Sequence, residues 1–141
     1  MPETPLPLAP PGTKAEIEEG HAFTPRFDRD GLITCIAVDA HDGRVLMLAY
    51  MNASSLARTI ETGEAWYWSR SRGELWHKGA TSGQIQRVVE MRTDCDQDAL
   101  LITVDVGGDG GCCHTGRRAC FYRAVERDTQ TGQVRLRPAG E

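Results

Sequence analysis

The stretch GLITCIAVDAHDGRVLMLAYM, residues 31–51, decides the fold class of this chain. Its first part, residues 31–39, is apolar and rich in β-branched residues, which predicts a strand. Residues 44–51, which are mostly apolar after Arg44, form the expected returning strand. Because Asp42 and Gly43 between the two runs are a hairpin turn signal, the strands are predicted to pair in antiparallel fashion.

Downstream of this hairpin, strand patterns outnumber helical ones. Asn52 can cap a helix and Gly63 can end it, so one short helix is predicted over residues 53–62. Further strands are predicted over residues 65–70, 75–78, 85–93, 99–106, 119–126 and 134–137. Most links between them are too short for a crossover helix, which favours antiparallel pairing. We therefore expect an α+β fold, a single domain with a mainly antiparallel β-sheet and one or two short helices.

The composition is that of one globular domain. The chain has 141 residues, of which 40% are hydrophobic and 26% charged, and its apolar runs are too short to cross a membrane. A net charge of -4 argues against a nucleic-acid partner. Five of the seven prolines lie in the first eleven residues, so residues 1–22 are predicted to be a disordered tail. Residues 23–127 are then the domain, and residues 128–141 a short C-terminal strand or tail.

The five cysteines are odd in number and unevenly distributed. No signal peptide is recognisable, so we expect a cytoplasmic protein, in which clustered cysteines indicate a metal site or catalysis. Cys113 and Cys120, with Cys95 as a third thiolate, fit zinc. Three ligands leave an open position, which is typical of catalytic zinc, but spacing alone favours a closed structural site about equally. Cys35 is expected to be a buried thiol and Cys112 a bystander.

The segment Asp94-Cys-Asp-Gln-Asp98 is the second candidate metal site. In an extended chain, alternation would place the three aspartates on one face and Cys95 on the other. Clustered carboxylates repel each other, and Mg²⁺ prefers such oxygen ligands, although a solvated acidic turn is the simpler explanation of three aspartates alone. Because Cys95 would face away and the other thiols follow a glycine-rich loop, we expect a zinc site shared between two subunits.

Residues 66–79 combine all three tryptophans with basic side chains. Arginine binds phosphate in bidentate fashion, and nearby hydroxyl groups can add donors. In isolation, a core of aromatics beneath a basic hairpin explains the same residues equally well. The acidic chain favours a small anionic ligand over a long nucleic acid. The candidate substrate-binding residues are Arg70, Arg72, Lys78 and Ser82.

Four motifs together resemble one family: VLMLAYMN at residues 45–52, TGEAWYWSRSRGELWHKGATSGQ at 62–84, QRVVEMRTDCDQDALL at 86–101 and CHTGRRACFYR at 113–123. They resemble the phosphoribosyl-AMP cyclohydrolases of histidine biosynthesis, over roughly residues 31–123. The resemblance implies hydrolysis of the N1–C6 bond of the adenine ring of 1-(5-phosphoribosyl)-AMP. The product would be the phosphoribosyl-formimino-carboxamide ribonucleotide, and the reaction the third step of L-histidine biosynthesis.

The resemblance also implies an intertwined homodimer with one Zn²⁺ and one Mg²⁺ per subunit. The implied magnesium ligands are Asp94, Asp96 and Asp98. The implied zinc ligands are Cys113 and Cys120 together with Cys95 of the partner subunit. Zinc would activate water for attack on the ring carbon, and His114 is our candidate for proton transfer.

Two other functions compete with this interpretation. A zinc-dependent nucleotide deaminase would use similar chemistry, but the sequence contains neither an H-x-E nor a P-C-x-x-C motif. A zinc-stabilised binding module without catalysis would need a closed four-ligand site and would unfold on chelation.

Overall fold

The computed structural model describes residues 8–140 as ten helices and strands. The two helices are α1 (Lys14–Glu19) and α2 (Ala53–Thr62). The strands are β1 (Ile33–Asp39), β2 (Val45–Met51), β3 (Trp66–Ser69), β4 (Glu74–His77), β5 (Gln86–Thr93), β6 (Ala99–Val106), β7 (Arg123–Arg127) and β8 (Val134–Pro138). The predicted α+β class is confirmed, and the helix predicted over residues 53–62 has those bounds.

A four-stranded sheet in the order β2-β1-β6-β5 forms the centre of the fold. The β1–β2 and β5–β6 pairs are antiparallel hairpins, whereas β1 and β6 pair in parallel and join the two hairpins. Side chains of β1 alternate between buried and half-buried, because every second residue faces the core. The largest fully buried apolar side chains are Tyr67, Ile33, Leu46, Met51, Leu56, Leu100, Ile102 and Val104.

Helix α2 is bounded by the residues that the sequence indicates. The Asn52 side chain accepts a hydrogen bond from the Ser55 backbone N–H at 2.8 Å, and Gly63 ends the helix with φ 74°. Leu56, on the apolar side of the helix, is buried in the core. Thr59 Oγ1 accepts a hydrogen bond from the backbone N–H of Trp66 at 2.9 Å, which ties the helix to β3.

Two smaller hairpins complete the fold. The β3–β4 hairpin is linked to β5, because the backbone N–H of Ala65 donates to the Gln86 carbonyl at 2.9 Å. The β7–β8 hairpin is antiparallel. The predicted strand over residues 119–126 is wrong in its first part: β7 begins at Arg123, and the preceding residues form a loop held by a bond from the Cys120 N–H to the Leu46 carbonyl, 2.7 Å.

The N-terminal segment differs from the prediction. Helix α1 lies within residues 1–22, which were predicted to be disordered, and a reciprocal capping box between Thr13 and Glu16 stabilises its first turn. Residues 1–7 of the predicted tail, and Glu141 of the predicted C-terminal tail, lie outside the described residues. Neither helix has the length and apolar character needed to cross a membrane.

Candidate active site

The three aspartates of the acidic segment converge in a tight turn between β5 and β6. One carboxylate oxygen from each lies within 4.8 Å of the others. The turn is closed by a bond from the Gln97 N–H to the Asp94 carbonyl at 3.1 Å. Asp94 Oδ1 also accepts from the backbone N–H groups of Asp98 and Ala99 at 3.0 and 3.1 Å. The expectation of an extended segment is therefore wrong, because a turn and not strand alternation gathers the carboxylates.

The electrostatics of this turn suit a bound cation. Hydrogen bonding with Asp96 and Asp94, together with some burial, raises the pKa of Asp98 to about 6. Burial acts to raise the pKa of Asp94, but hydrogen bonds from Asp98 and from backbone N–H groups outweigh it and lower that pKa. Three oxygen ligands with this mutual repulsion fit Mg²⁺ in ligand type and charge.

Cys113 and Cys120 lie together in the loop that leads to β7. Burial acts to raise the pKa of Cys113, but hydrogen bonds from the side chain and backbone of Thr115 outweigh it and lower that pKa. The Thr115 hydroxyl donates to Cys113 Sγ at 3.0 Å. Burial and the neighbouring Cys113 raise the pKa of Cys120 to about 11. A cation between the two sulfurs would favour both thiolates, so the pair fits one side of a zinc site.

The cysteine loop is anchored to the central sheet. The carbonyl of Arg117 accepts bonds from the N–H groups of Cys112 and Cys113 at 3.2 and 3.0 Å. The Arg118 guanidinium forms ion pairs with Asp39 and Asp42 at 3.2 and 2.8 Å. The thiol of Cys35 is buried, which confirms the predicted core thiol, and the thiol of Cys112 is buried as well.

Cys95 lies apart from the other two predicted zinc ligands. It is exposed and belongs to the acidic turn. Within residues 8–140, the aspartates form the one group of three or more metal-ligating side chains close enough to share an ion. A single chain therefore does not bring Cys95, Cys113 and Cys120 together.

A cleft of about 450 Å³ lies beside the cysteine loop. It is lined by Cys113 and His114 and by three of the four predicted substrate-binding residues, Arg72, Lys78 and Ser82. Lys78 is only 7% exposed; its ammonium group donates to the Cys112 carbonyl and lies 5.1 Å from the centre of the Trp76 ring. The positive charge of Lys78 is thus held against the backbone of the cysteine loop.

The structure places Arg70 elsewhere. Its guanidinium lies 4.0 Å from the centre of the Tyr50 ring, in a second cleft of about 480 Å³. Trp76 lines both clefts, so they are neighbours, but Arg70 does not line the cleft that contains His114.

Two residues at these sites were not singled out from the sequence. Gln84 lines the His114 cleft and donates to Asp109, which couples the cleft to the glycine-rich loop. Its position at the end of the motif at residues 62–84 was a usable signal. Gln97 lies within the acidic turn and is 4% exposed. Its burial has no signature in the sequence, since both of its immediate neighbours are charged aspartates.

Comparison with known proteins resolves the family. The family model described as phosphoribosyl-AMP cyclohydrolase matches residues 47–122. This chain belongs to the phosphoribosyl-AMP cyclohydrolase family. Proteins named phosphoribosyl-AMP cyclohydrolase from Brucella anthropi and Nitrobacter hamburgensis are 64% identical over 117 residues and 61% over 124 residues. These alignments cover 83% of both chains for the first, and 88% of this chain and 82% of the relative for the second. The relative of that name from Chelativorans is 61% identical over 122 residues, covering 86% of this chain and 88% of its own. The family motifs thus coincide with the acidic turn, the cysteine loop and the His114 cleft.

Proposed function

We propose that this chain hydrolyses the N1–C6 bond of the adenine ring of 1-(5-phosphoribosyl)-AMP, the third step of L-histidine biosynthesis. The observation that carries the proposal is the cleft in which Cys113 and His114 face Arg72 and Ser82. A proton-transfer group, a metal-ligating thiol and phosphate-binding side chains are the parts that hydrolytic opening of a nucleotide base needs. We place the reaction in the cytoplasm, where the free cysteines of this chain stay reduced.

We propose one Zn²⁺ per subunit, held by Cys113 and Cys120 and by Cys95 of the partner subunit in a homodimer. Support comes from the closeness of the first two thiols and from the separate, exposed position of Cys95. When bound in such a site, zinc lowers the pKa of water and supplies a nucleophile near neutral pH. With three thiolates as its protein ligands, the ion would keep one position open for that water.

We propose one Mg²⁺ per subunit at the acidic turn, held by Asp94, Asp96 and Asp98. The convergence of their carboxylate oxygens and the raised pKa of Asp98 support this assignment. Magnesium there would balance the charge of the turn and supply a positive field for a substrate phosphate.

The protein side chains divide the remaining work. His114, exposed in the cleft, would donate a proton to N1 as the ring opens. Arg72 and Ser82 would bind one phosphoribosyl group of the substrate, and Lys78 would add positive charge from beneath the cysteine loop. Arg70 lies in the neighbouring cleft, so we assign it to the second phosphoribosyl group.

The activity is tested with purified protein, phosphoribosyl-AMP and both metals, followed by ultraviolet absorbance as the base opens. His114→Asn should lower kcat by about 10²–10⁴-fold, the usual contribution of a general acid. His41→Asn is the matched control, because His41 is an exposed residue paired with Asp105 on the sheet. No ring opening by the wild-type protein would refute the proposed reaction, and full activity of His114→Asn would refute the role of that residue.

The shared zinc site is tested by mixing inactive variants. Cys95→Ser and Cys113→Ser should each lose zinc, but a refolded 1:1 mixture should recover about one quarter of the wild-type zinc and activity. Half of the dimers are then mixed, and each mixed dimer holds one intact site. A mixture of Cys113→Ser with Cys120→Ser should recover nothing, because both changes affect the same half of the site. Equal recovery in the two mixtures would contradict a site divided between subunits.

A further inference from the structure

Gln97 is unlike the other residues of the acidic turn. It is the one non-glycine residue of the described chain with a left-handed backbone, φ 58°, a conformation uncommon for a residue with a side chain. The aspartates before and after it are exposed or half-buried, whereas the Gln97 side chain is directed inward and is buried.

All hydrogen bonds of the buried Gln97 side-chain amide are made to one segment, residues 17–26, which we call the N-terminal strap. Its Oε1 accepts from the Thr24 N–H at 2.7 Å. Its Nε2 donates to the carbonyls of Ile17 and Ala22 at 2.9 and 3.4 Å. The Gln97 carbonyl also accepts from the Arg26 N–H at 2.7 Å. These bonds span more than seventy residues of sequence and tie the strap to the turn.

The strap therefore lies beside the part of the turn that carries Cys95. A cleft of about 390 Å³ lies between the two segments: Glu18, His21 and Phe23 of the strap line one side, and Asp94 and Cys95 of the turn line the other. Arg26 adds a contact of its own, since its guanidinium donates to the Asp96 carbonyl at 3.4 Å. The strap therefore contacts or faces the segment that carries ligands of both proposed metals.

We propose that Gln97 is a positioning residue, which pins the N-terminal strap across the acidic turn and thereby holds the turn ready for metal. Metal ligands that are fixed before binding lose less freedom when the ion arrives, so affinity depends on such supporting bonds. By linkage, metal in the turn must stabilise docking of the strap by the same factor that docking strengthens metal binding. The docking of the strap rests on the observed bonds alone, and its effect on metal rests on the proposed magnesium site.

Docking of the strap is measured by hydrogen exchange of the full-length protein with its zinc retained and magnesium removed. Gln97→Asn tolerates the left-handed backbone but is too short to reach the strap, and Gln97→Gly removes the side chain without backbone strain. Both variants should raise the exchange rates of the Thr24 and Arg26 amides by about 10-fold or more, with β1 and β6 unchanged. Gln130→Asn, on an exposed turn, is the control.

The effect on metal is measured by calorimetric titration of the same proteins with Mg²⁺ alone. Both Gln97 variants should raise the Kd for Mg²⁺ by about 10-fold or more, which is the usual effect of mutating a residue that supports a metal ligand. If the Thr24 amide exchanges at the wild-type rate in both variants, the claim that Gln97 holds the strap on the acidic turn is refuted, regardless of the Mg²⁺ titration. Loss of the strap with an unchanged Mg²⁺ Kd would overturn the positioning role. If the wild-type protein binds no Mg²⁺, both the positioning role and the proposed magnesium site are refuted. The exchange data would still show whether Gln97 docks the strap.

Discussion

Removal of the Tyr67 hydroxyl should destabilise the core directly beneath the cysteine loop. Tyr67 and Gln86 are both fully buried, and the phenol donates to Gln86 Oε1 at 2.6 Å. The amide nitrogen of Gln86 contacts Met47 Sδ at 3.2 Å and Cys112 Sγ at 3.4 Å. Tyr67→Phe therefore leaves a buried carbonyl oxygen without its donor, while the ring keeps its packing.

The expected cost follows from that unpaired oxygen. Leaving a buried acceptor unsatisfied costs about 1–3 kcal/mol of unfolding free energy. In a domain of this size each kcal/mol lowers the Tm by about 3–4 °C, so Tyr67→Phe should melt about 3–12 °C below the wild-type protein. Tyr50→Phe is the matched control, since Tyr50 is half-buried and its hydroxyl has no hydrogen bond among residues 8–140. Its Tm should change by less than about 2 °C.

A double-mutant cycle with Gln86→Met isolates the interaction. When both polar partners are replaced by apolar groups of similar shape, no group remains unpaired, and much of the loss should be regained. We expect a coupling energy of about 1–3 kcal/mol between the two positions, from urea unfolding monitored by tryptophan fluorescence. Strictly additive single effects, or a Tyr67→Phe protein as stable as Tyr50→Phe, would show that this buried bond does not support the core.

Three further predictions concern a tight turn, a core thiol and the acidic turn. Gly79→Ala should cost at least about 2 kcal/mol in urea unfolding, because its Cβ would lie 2.2 Å from backbone atoms at a φ of 86°. Gly83→Ala has a similar φ of 81° but open space, so an equal cost would refute the clash. Burial raises the pKa of Cys35 to about 12, so above pH 9 the unfolded chain loses this proton first and stability falls as pH rises. Cys35→Ala should reduce that fall by up to about 1.4 kcal/mol per pH unit, and an unchanged slope would contradict the burial of the thiol. Mg²⁺ at about 100 times its Kd should stabilise the wild-type protein by about 2.7 kcal/mol, and Asp96→Asn but not the exposed Asp30→Asn should abolish that gain.

Features of the fold that depend on neighbouring residues were predictable from the sequence. Helix α2 has its predicted bounds because Asn52 and Gly63 satisfy its ends through local hydrogen bonds and backbone geometry. The β1–β2 hairpin was likewise indicated by its turn and by its apolar strands. By contrast, the parallel pairing of β1 with β6 joins segments more than sixty residues apart, and no local pattern specifies it.

The candidate site also combines features that were predictable from local sequence with features that were not. Its residue types, three aspartates beside a cysteine and a second pair of cysteines beside a histidine, are written in the sequence and were sufficient to indicate the family. Their arrangement was not: the aspartates meet through a turn, Lys78 is held against the cysteine loop, and Arg70 lies in a neighbouring cleft. Each of these placements depends on packing between distant segments.

Local chemistry therefore determined which groups this protein can offer to metal and substrate, because ligand type and spacing are properties of the chain itself. Only the tertiary structure decided which groups face one another. It set Cys95 apart from Cys113 and Cys120, and it buried Gln97 beneath the N-terminal strap. The physical reason is that burial and long-range hydrogen bonds arise only when segments far apart in sequence pack together, and no short window of sequence contains both partners.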